Sequence, residues 1–440
     1  MREVLSEIQR GVRFSCSLGG ALATVTAIDR GVPVVHAAPG CAYNSYIGQF
    51  VCSGCQGGGY LDGIGVPSTR LCERHIVYGG EDRLRQQLKA TLDVIDGDFI
   101  VIITGCVADL IGDDVATIAG EFSTEEVPVL YVETGGFKGN SFRGYEKVLE
   151  AFRDQLMEKP SKKEKGLINV FGMLPYQDMF WKGNLKEIGR LLERLGLEAN
   201  MMLGHTASGL QSWKQAPQAE LNLLLSPWVA VDFVKKFEEK FGVPYLVYPG
   251  LPIGPIETAR LLRMVGESLG ISKDVVEKVV SDEEREYYYY LGGVSMYTLG
   301  AGWHFKFAVI GESNLAIGVN KFLTNELGHI PLLTVITDDP PDKYRKSIID
   351  ELTNLESGLK PEVVFRANAD EIWALVRESE AEVILGSSLD TPIARQLTVA
   401  YVGIAAPEVN RVITDNTLCG FKGALELASD FYSAVVAGPA

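Results

Sequence analysis

The chain alternates short β-branched apolar runs with longer stretches whose apolar positions recur at helical spacing, a pattern that predicts parallel strands covered by helices. In the first third, 32–37, 99–104 and 127–132 read as strands, followed by the small or polar words APGC, GC and ETGG. The middle third offers strands at 167–172, 198–203, 221–225 and 244–248, with helices at 184–195 and 230–241 between them. The last third repeats the scheme at 307–311, 332–337, 362–366, 383–386 and 398–404. Three such sets predict an α/β protein of three Rossmann-like domains, each a parallel sheet flanked by helices. The charged stretch KPSKKEKG at 159–166 and the segment 282–305 mark the expected boundaries, giving domains 1–165, 166–295 and 296–440. In units of this kind ligands lie beyond the carboxyl ends of the strands, so the loops after the strands are where chemistry is expected.

A length of 440 residues suits about three domains. With 46% hydrophobic and 22% charged residues the chain reads as globular, and it contains no run of 18 apolar residues. The opening MREVLSEIQRGVRF is charged throughout and has no apolar h-region, so we expect a cytoplasmic protein with no membrane association. A formal charge of −16 argues against nucleic acid as a partner, because phosphate contacts need clustered Lys and Arg. Seven cysteines in a cytosolic chain are expected to be reduced. Five of them fall between Cys16 and Cys72, an asymmetry that metal ligation, redox chemistry or plain burial could produce.

Cys41 and Cys106 each follow a predicted buried strand, and Cys16 lies in FSCSLGGALA, where small neighbours permit close backbone approach and a helix start. Loops at sheet edges can bring three such thiols together. A cubane iron–sulfur cluster takes four thiolates, so three from one chain imply a fourth ligand elsewhere, most economically from a partner chain. Burial as small apolar residues accounts for the same positions as readily. The surrounding words are more specific. CSLGGALATVTAID, GVPVVHAAPGCAYNSY, ERHIVYGG, ITGCVADLIGDDV and ETGGFKGNS, in that order, resemble the N-terminal domain of nitrogenase component 1 subunits. VPYLVYPGLPIGPIETARLLR, FAVIGESNLAIGVNKFL, ILGSSLDTPIA and the late GFKGA resemble that family's middle and C-terminal signatures.

The resemblance implies three Rossmann-like domains and pairing with a homologous component 1 subunit, or with a second copy of this chain. It implies an iron–sulfur cluster at the subunit interface, a single [4Fe-4S] cubane or a double-cubane [8Fe-7S], held here by Cys16, Cys41 and Cys106. It further implies an ATP-dependent iron protein as electron donor and an oxidoreductase complex in which this chain relays electrons to a partner's active site. Catalytic subunits of the family anchor their metal cofactor by a cysteine after a middle-domain strand and a histidine near the C-terminus. Here ELNLLL runs into Ser226, and no histidine follows His329. A hard hydroxyl is a poor substitute for thiolate at iron, so the resemblance points to the non-catalytic β-type subunit, although ERHIVYGG is closer to the α-type. A scaffold for metal-cofactor assembly is the alternative function. The family's additional serine ligand has Gly136 at the nearest position, with Ser141 further on.

Several residues fall outside that pattern. Cys52 and Cys55 form a C-x-x-C pair whose spacing suits a redox dithiol or two metal ligands, and Cys72 follows, but an insertion with incidental thiols explains them too. The glycine run at 57–59 lacks a Walker lysine and serine. His205 and Trp228 mark the expected inter-domain cleft, where an organic substrate could be held without covalent ligands. His36 reads as a core histidine, Asp113 and Asp114 as helix caps, Cys419 as structural, and the run 287–290 as a helix with one buried and one exposed aromatic face.

Overall fold

The computed structural model describes residues 11–57, 59–61, 65–301 and 304–438. The first ten residues, on which much of the reading of the N-terminus rests, lie outside the described residues, as do one glycine of the 57–59 run and residues 302–303 in the expected second boundary.

Twelve strands form three all-parallel sheets. The first contains β1 (Gly31–His36), β2 (Phe99–Thr104) and β3 (Val129–Glu133), in that order. The second contains β4 (Leu167–Phe171), β5 (Glu198–Met201), β6 (Leu221–Leu225) and β7 (Tyr245–Tyr248), ordered β5-β4-β6-β7. The third contains β8 (Lys306–Gly311), β9 (Ile330–Ile336), β10 (Glu362–Phe365), β11 (Val383–Gly386) and β12 (Ala400–Gly403), ordered β10-β9-β8-β11-β12. Every strand expected from the apolar runs is present, with ends displaced by no more than two residues. These strands were legible because β1, β2, β4, β6 and β11 are buried along their whole length, and a parallel sheet covered on both faces writes a continuous apolar run.

Helices named below are α1 (Ser17–Thr26), α2 (Pro39–Phe50), α3 (Cys106–Ile111), α4 (Ser141–Gln155), α5 (Trp181–Arg194), α6 (Gly254–Ser268), α7 (Lys273–Ala301) and α8 (Gly420–Ala437). All ten residues of α1, SLGGALATVT, are buried, as its lack of a polar face requires. It packs on β1 and β2 on one side and α4 on the other. The approach to α4 is backbone to backbone: a Cβ on Gly20 would fall 2.0 Å from the Ser141 carbonyl oxygen, and one on Gly144 would fall 2.1 Å from that of Ser17.

Two ties join the sheets. In the third sheet the strand order reverses between β8 and β11, where ligands of this topology usually bind beyond the strand ends. There Arg13 donates to Ser387 at 2.9 Å and forks onto both oxygens of Asp390 at 2.8 and 2.6 Å, all of it buried. At the second tie, Asp178 accepts from the Phe180 N–H and from the Asn184 amide, each at 2.8 Å. The Asn184 oxygen in turn accepts from the N–H groups of Leu418 and Cys419, at 2.8 and 3.1 Å, ahead of α8, which packs on α6 and α7.

Two tests follow from this packing. Gly144→Ala should lower stability by about 1–3 kcal/mol because Ser17 cannot retreat from α4. Gly120→Ala, on an exposed helix with nothing within 4 Å, should raise it by roughly 1 kcal/mol, so paired melting curves shifting in opposite directions check the contact. Burial pushes Asp178 from its ordinary 3.8 up to about 6. The folded chain then holds a proton that the unfolded chain releases, so this group's stabilisation is full below pH 4 and is lost as the pH rises through 6. Asp178→Asn should therefore remove a decline of about 3 kcal/mol from the pH profile of urea unfolding, and an unchanged profile would contradict the assignment.

Candidate functional site

The three cysteines singled out by the sequence occupy three helix starts at one end of the first sheet. Cys16 is the residue that precedes α1, Cys41 is in the first turn of α2 behind Pro39, and Cys106 opens α3 directly after β2. Gly105 lets the last two approach: a Cβ there would fall 2.5 Å from that of Ala37, so only glycine passes between the ends of β1 and β2.

The loop between β3 and α4 links Cys106 to Cys16. Thr134 donates its hydroxyl to the Thr104 carbonyl at 2.7 Å, and Asp109 accepts from the Gly135 N–H at 2.9 Å and pairs with Lys138 at 2.7 Å. On the other side the Ser17 N–H reaches the Gly139 carbonyl at 2.9 Å, and the Ser141 N–H reaches the Ser15 carbonyl at 2.8 Å. Held between them, Gly136 donates its N–H to the Cys106 sulfur at 3.0 Å. A Cβ on Gly136 would stand 3.2 Å from the Cys106 sulfur and 3.9 Å from that of Cys16, which puts the two sulfurs no more than about 7 Å apart. The third thiol belongs to the same group: burial pushes Cys41 above its ordinary value, and the neighbouring Cys16 and Cys106 push it further.

Cys16 and Cys106 are exposed and Cys41 is half-buried, so the group opens outward. Among the described residues no three His, Cys, Asp or Glu side chains converge closely enough to hold one metal ion. A zinc ion with bonds of about 2.3 Å would need its thiolates nearly in contact. Looser spacing, an all-thiolate donor set and an N–H aimed at sulfur suit a group with several irons, each bound by its own cysteine. The residues fit an iron–sulfur cluster one ligand short.

Among the described residues His205 and Trp228 do not face one common space. His205 is exposed, whereas Trp228 is buried against Phe142 and donates its indole N–H to Asp338 at 2.8 Å. Ser226 closes the turn after β6 by accepting from the Val229 N–H at 3.0 Å. Buried acids surround this junction: burial drives Glu312 well above the usual carboxylate range, Asp178 and Asp338 add to it, and burial raises Asp338 too. A cavity of about 650 Å³ lies elsewhere, between α1, α2, the 174–177 loop and Pro407. Sequence reasoning missed it. Its only local signals were Gly19, Gly20, Ala23 and Gly48, small residues that line it along α1 and α2.

Asp114 caps its helix, accepting from the Thr117 N–H at 3.1 Å, but Asp113 does not. It holds buried His36 at 2.9 Å and accepts from the Gly80 N–H at 2.9 Å, a long-range pairing that no local pattern encodes. Cys72 lies on the surface with its sulfur 3.3 Å from Nδ1 of His75, and Cys419 is fully buried. Tyr287 is buried while Tyr288, Tyr289 and Tyr290 are exposed.

No helix among the described residues is long and apolar enough to cross a membrane. The family model for nitrogenase component 1 type oxidoreductases matches residues 16–436. The nitrogenase molybdenum-iron protein beta chain of Methanococcus maripaludis is 23% identical, with 96% of this chain and 93% of that one covered. The beta chain from Azotobacter vinelandii is also 23% identical, over 96% and 83%. One of the subunits of the light-independent protochlorophyllide reductase of Gloeothece citriformis is 22% identical over 78% and 68%. Among solved structures, nitrogenase Cp1 at pH 6.5 superposes with a TM-score of 0.80 at 20% identity, covering 98% of this chain and 94% of that one. The chain is therefore a member of the nitrogenase component 1 type oxidoreductase family, of beta type.

Proposed function

We propose that this chain is the cluster-binding, non-catalytic subunit of a nitrogenase-like reductase, working in the cytoplasm as three domains, 1–165, 166–295 and 296–440. The observation that carries the reading is the approach of Cys16 and Cys106 to Gly136 at an exposed edge, with Cys41 feeling the charge of both. When bound there, an iron–sulfur cluster would supply storage of single electrons at a potential set by its surroundings. This chain's residues would supply three thiolates, an N–H from Gly136 that favours the more negative charge state of the sulfur it faces, and a loop braced by Asp109 and Lys138.

An exposed site with one ligand missing calls for a partner. The elements that carry the cysteines also present Tyr43 on α2, Leu110 on α3 and Phe137 beside Gly136, all exposed. An apolar rim around exposed thiols supports docking of a homologous component 1 subunit that completes the cluster and excludes water. The beta-chain names of the relatives support such a partner, and the family resemblance of the sequence supports an ATP-dependent iron protein as donor. Reduction of substrate belongs to the partner in this scheme, because Ser226 and the buried Trp228–Asp338 contact fill the position where a catalytic subunit would anchor its metal cofactor.

The 650 Å³ cavity beside α1 favours a second reading, an assembly scaffold that carries a cofactor precursor without covalent ligands. Substrate reduction with an iron protein and ATP supports the first reading; transfer of a cofactor to an apo-acceptor supports the second.

Replacing Cys16, Cys41 or Cys106 singly by Ala should remove most of the iron and sulfide from the anaerobically purified complex and abolish its paramagnetic resonance signal. Cys419→Ala should leave both in place. Full iron content in all three single variants would overturn the ligand assignment.

A further inference from the structure

The C-x-x-C pair is unused by the site above. Cys52 lies two residues beyond the end of α2, so Cys41 near the start of that helix is about 16 Å away and the two groups are separate. The turn carrying the pair is fixed on both flanks. Cys52 accepts from the Glu408 N–H at 2.7 Å, Gly54 donates to the Glu408 carbonyl at 3.0 Å, and the Ile413 N–H reaches the Gly54 carbonyl at 2.9 Å. Gln56 donates to the Met179 carbonyl, and Lys182 donates to that of Gln56 at 3.1 Å. Segments from all three sheets thus meet at this turn.

Between the thiols the chain reverses through consecutive left-handed residues, Gly54 at φ +77° and Cys55 at φ +56°. Gly54 admits no side chain, since a Cβ would fall 2.5 Å from Ile413 Cγ1. A non-glycine residue held in that region is strained, and here the strain falls on the exposed member of the pair. Cys52 is half-buried and is one of the residues that line the cavity beside α1. Burial, followed by the charge of Cys55, pushes its thiol upward.

We propose that Cys52 and Cys55 form a reversible dithiol/disulfide couple that exchanges with an external disulfide of the glutathione or protein class. The Cys55 thiolate attacks one sulfur of that disulfide, forming a mixed disulfide and expelling one thiolate. The Cys52 sulfur then attacks Cys55 and expels the second. Two electrons pass from the pair to the external disulfide, the protons of Cys52 and Cys55 end on the two released thiols, and the Cys52–Cys55 bond replaces the one broken. The exposed residue attacks and the shielded one resolves, the order that their accessibility dictates. A fixed turn favours closure within the pair over a lasting external adduct.

The test equilibrates the full-length protein, with whatever partner copurifies, anaerobically in glutathione buffers of graded oxidation, followed by acid quench, alkylation and peptide mass mapping. The expected result is one reversible transition in which the peptide spanning 52–55 loses two hydrogens and both alkylation sites together. Cys52→Ser should trap glutathione on Cys55, and Cys55→Ser should leave Cys52 alkylatable at every ratio. A wild-type peptide that stays doubly alkylated throughout, or that stops at a glutathione adduct on Cys55, would overturn the proposal.

Discussion

The contact between α1 and α4 is the constraint on which the site depends. With no side chain at Gly20 or Gly144, the two backbones touch, and the residue preceding α1 is drawn beside the loop that precedes α4. Cys16 is that residue, and Gly136 belongs to that loop. The same economy operates at Gly105, which lets the ends of β1 and β2 close on each other and brings the helix starts of Cys41 and Cys106 to one edge. Thiols separated by up to 90 residues in sequence meet because glycines remove what would hold their helices apart.

The strands and the cysteines could be read from the sequence for different reasons. Doubly covered parallel strands leave continuous apolar runs, and cysteines placed after such runs inherit the position of the strand ends. Partnerships between distant residues leave no such trace. His36 was legible as a core residue, but its partner Asp113 was not, because only the fold brings the ends of β1 and the helix after α3 together. Gly136 was conspicuous as a missing serine, yet the use of its N–H depends on Asp109 and Thr104 clamping the loop. Trp228 does not share an open space with His205 because it turns inward to Asp338, a choice made by tertiary packing against Phe142.

Interior and edge have opposite chemistry. At the junction of the second and third sheets, Asp178, Glu312 and Asp338 are desolvated and drawn toward their neutral forms, and burial pushes the neighbouring Cys419 thiol up as well, away from thiolate. At the edge of the first sheet, soft thiols stand exposed with a backbone donor facing one of them. A chain built this way places its soft thiols where another subunit could complete a ligand set, as the proposed function requires.

The most direct test is anomalous diffraction at the iron edge from crystals of the anaerobic complex. The account predicts iron beside Cys16, Cys41 and Cys106, shared with a partner chain that supplies at least one ligand, and none in the cavity bordered by α1. Iron within that cavity, or an edge site whose ligands all come from this chain, would contradict it.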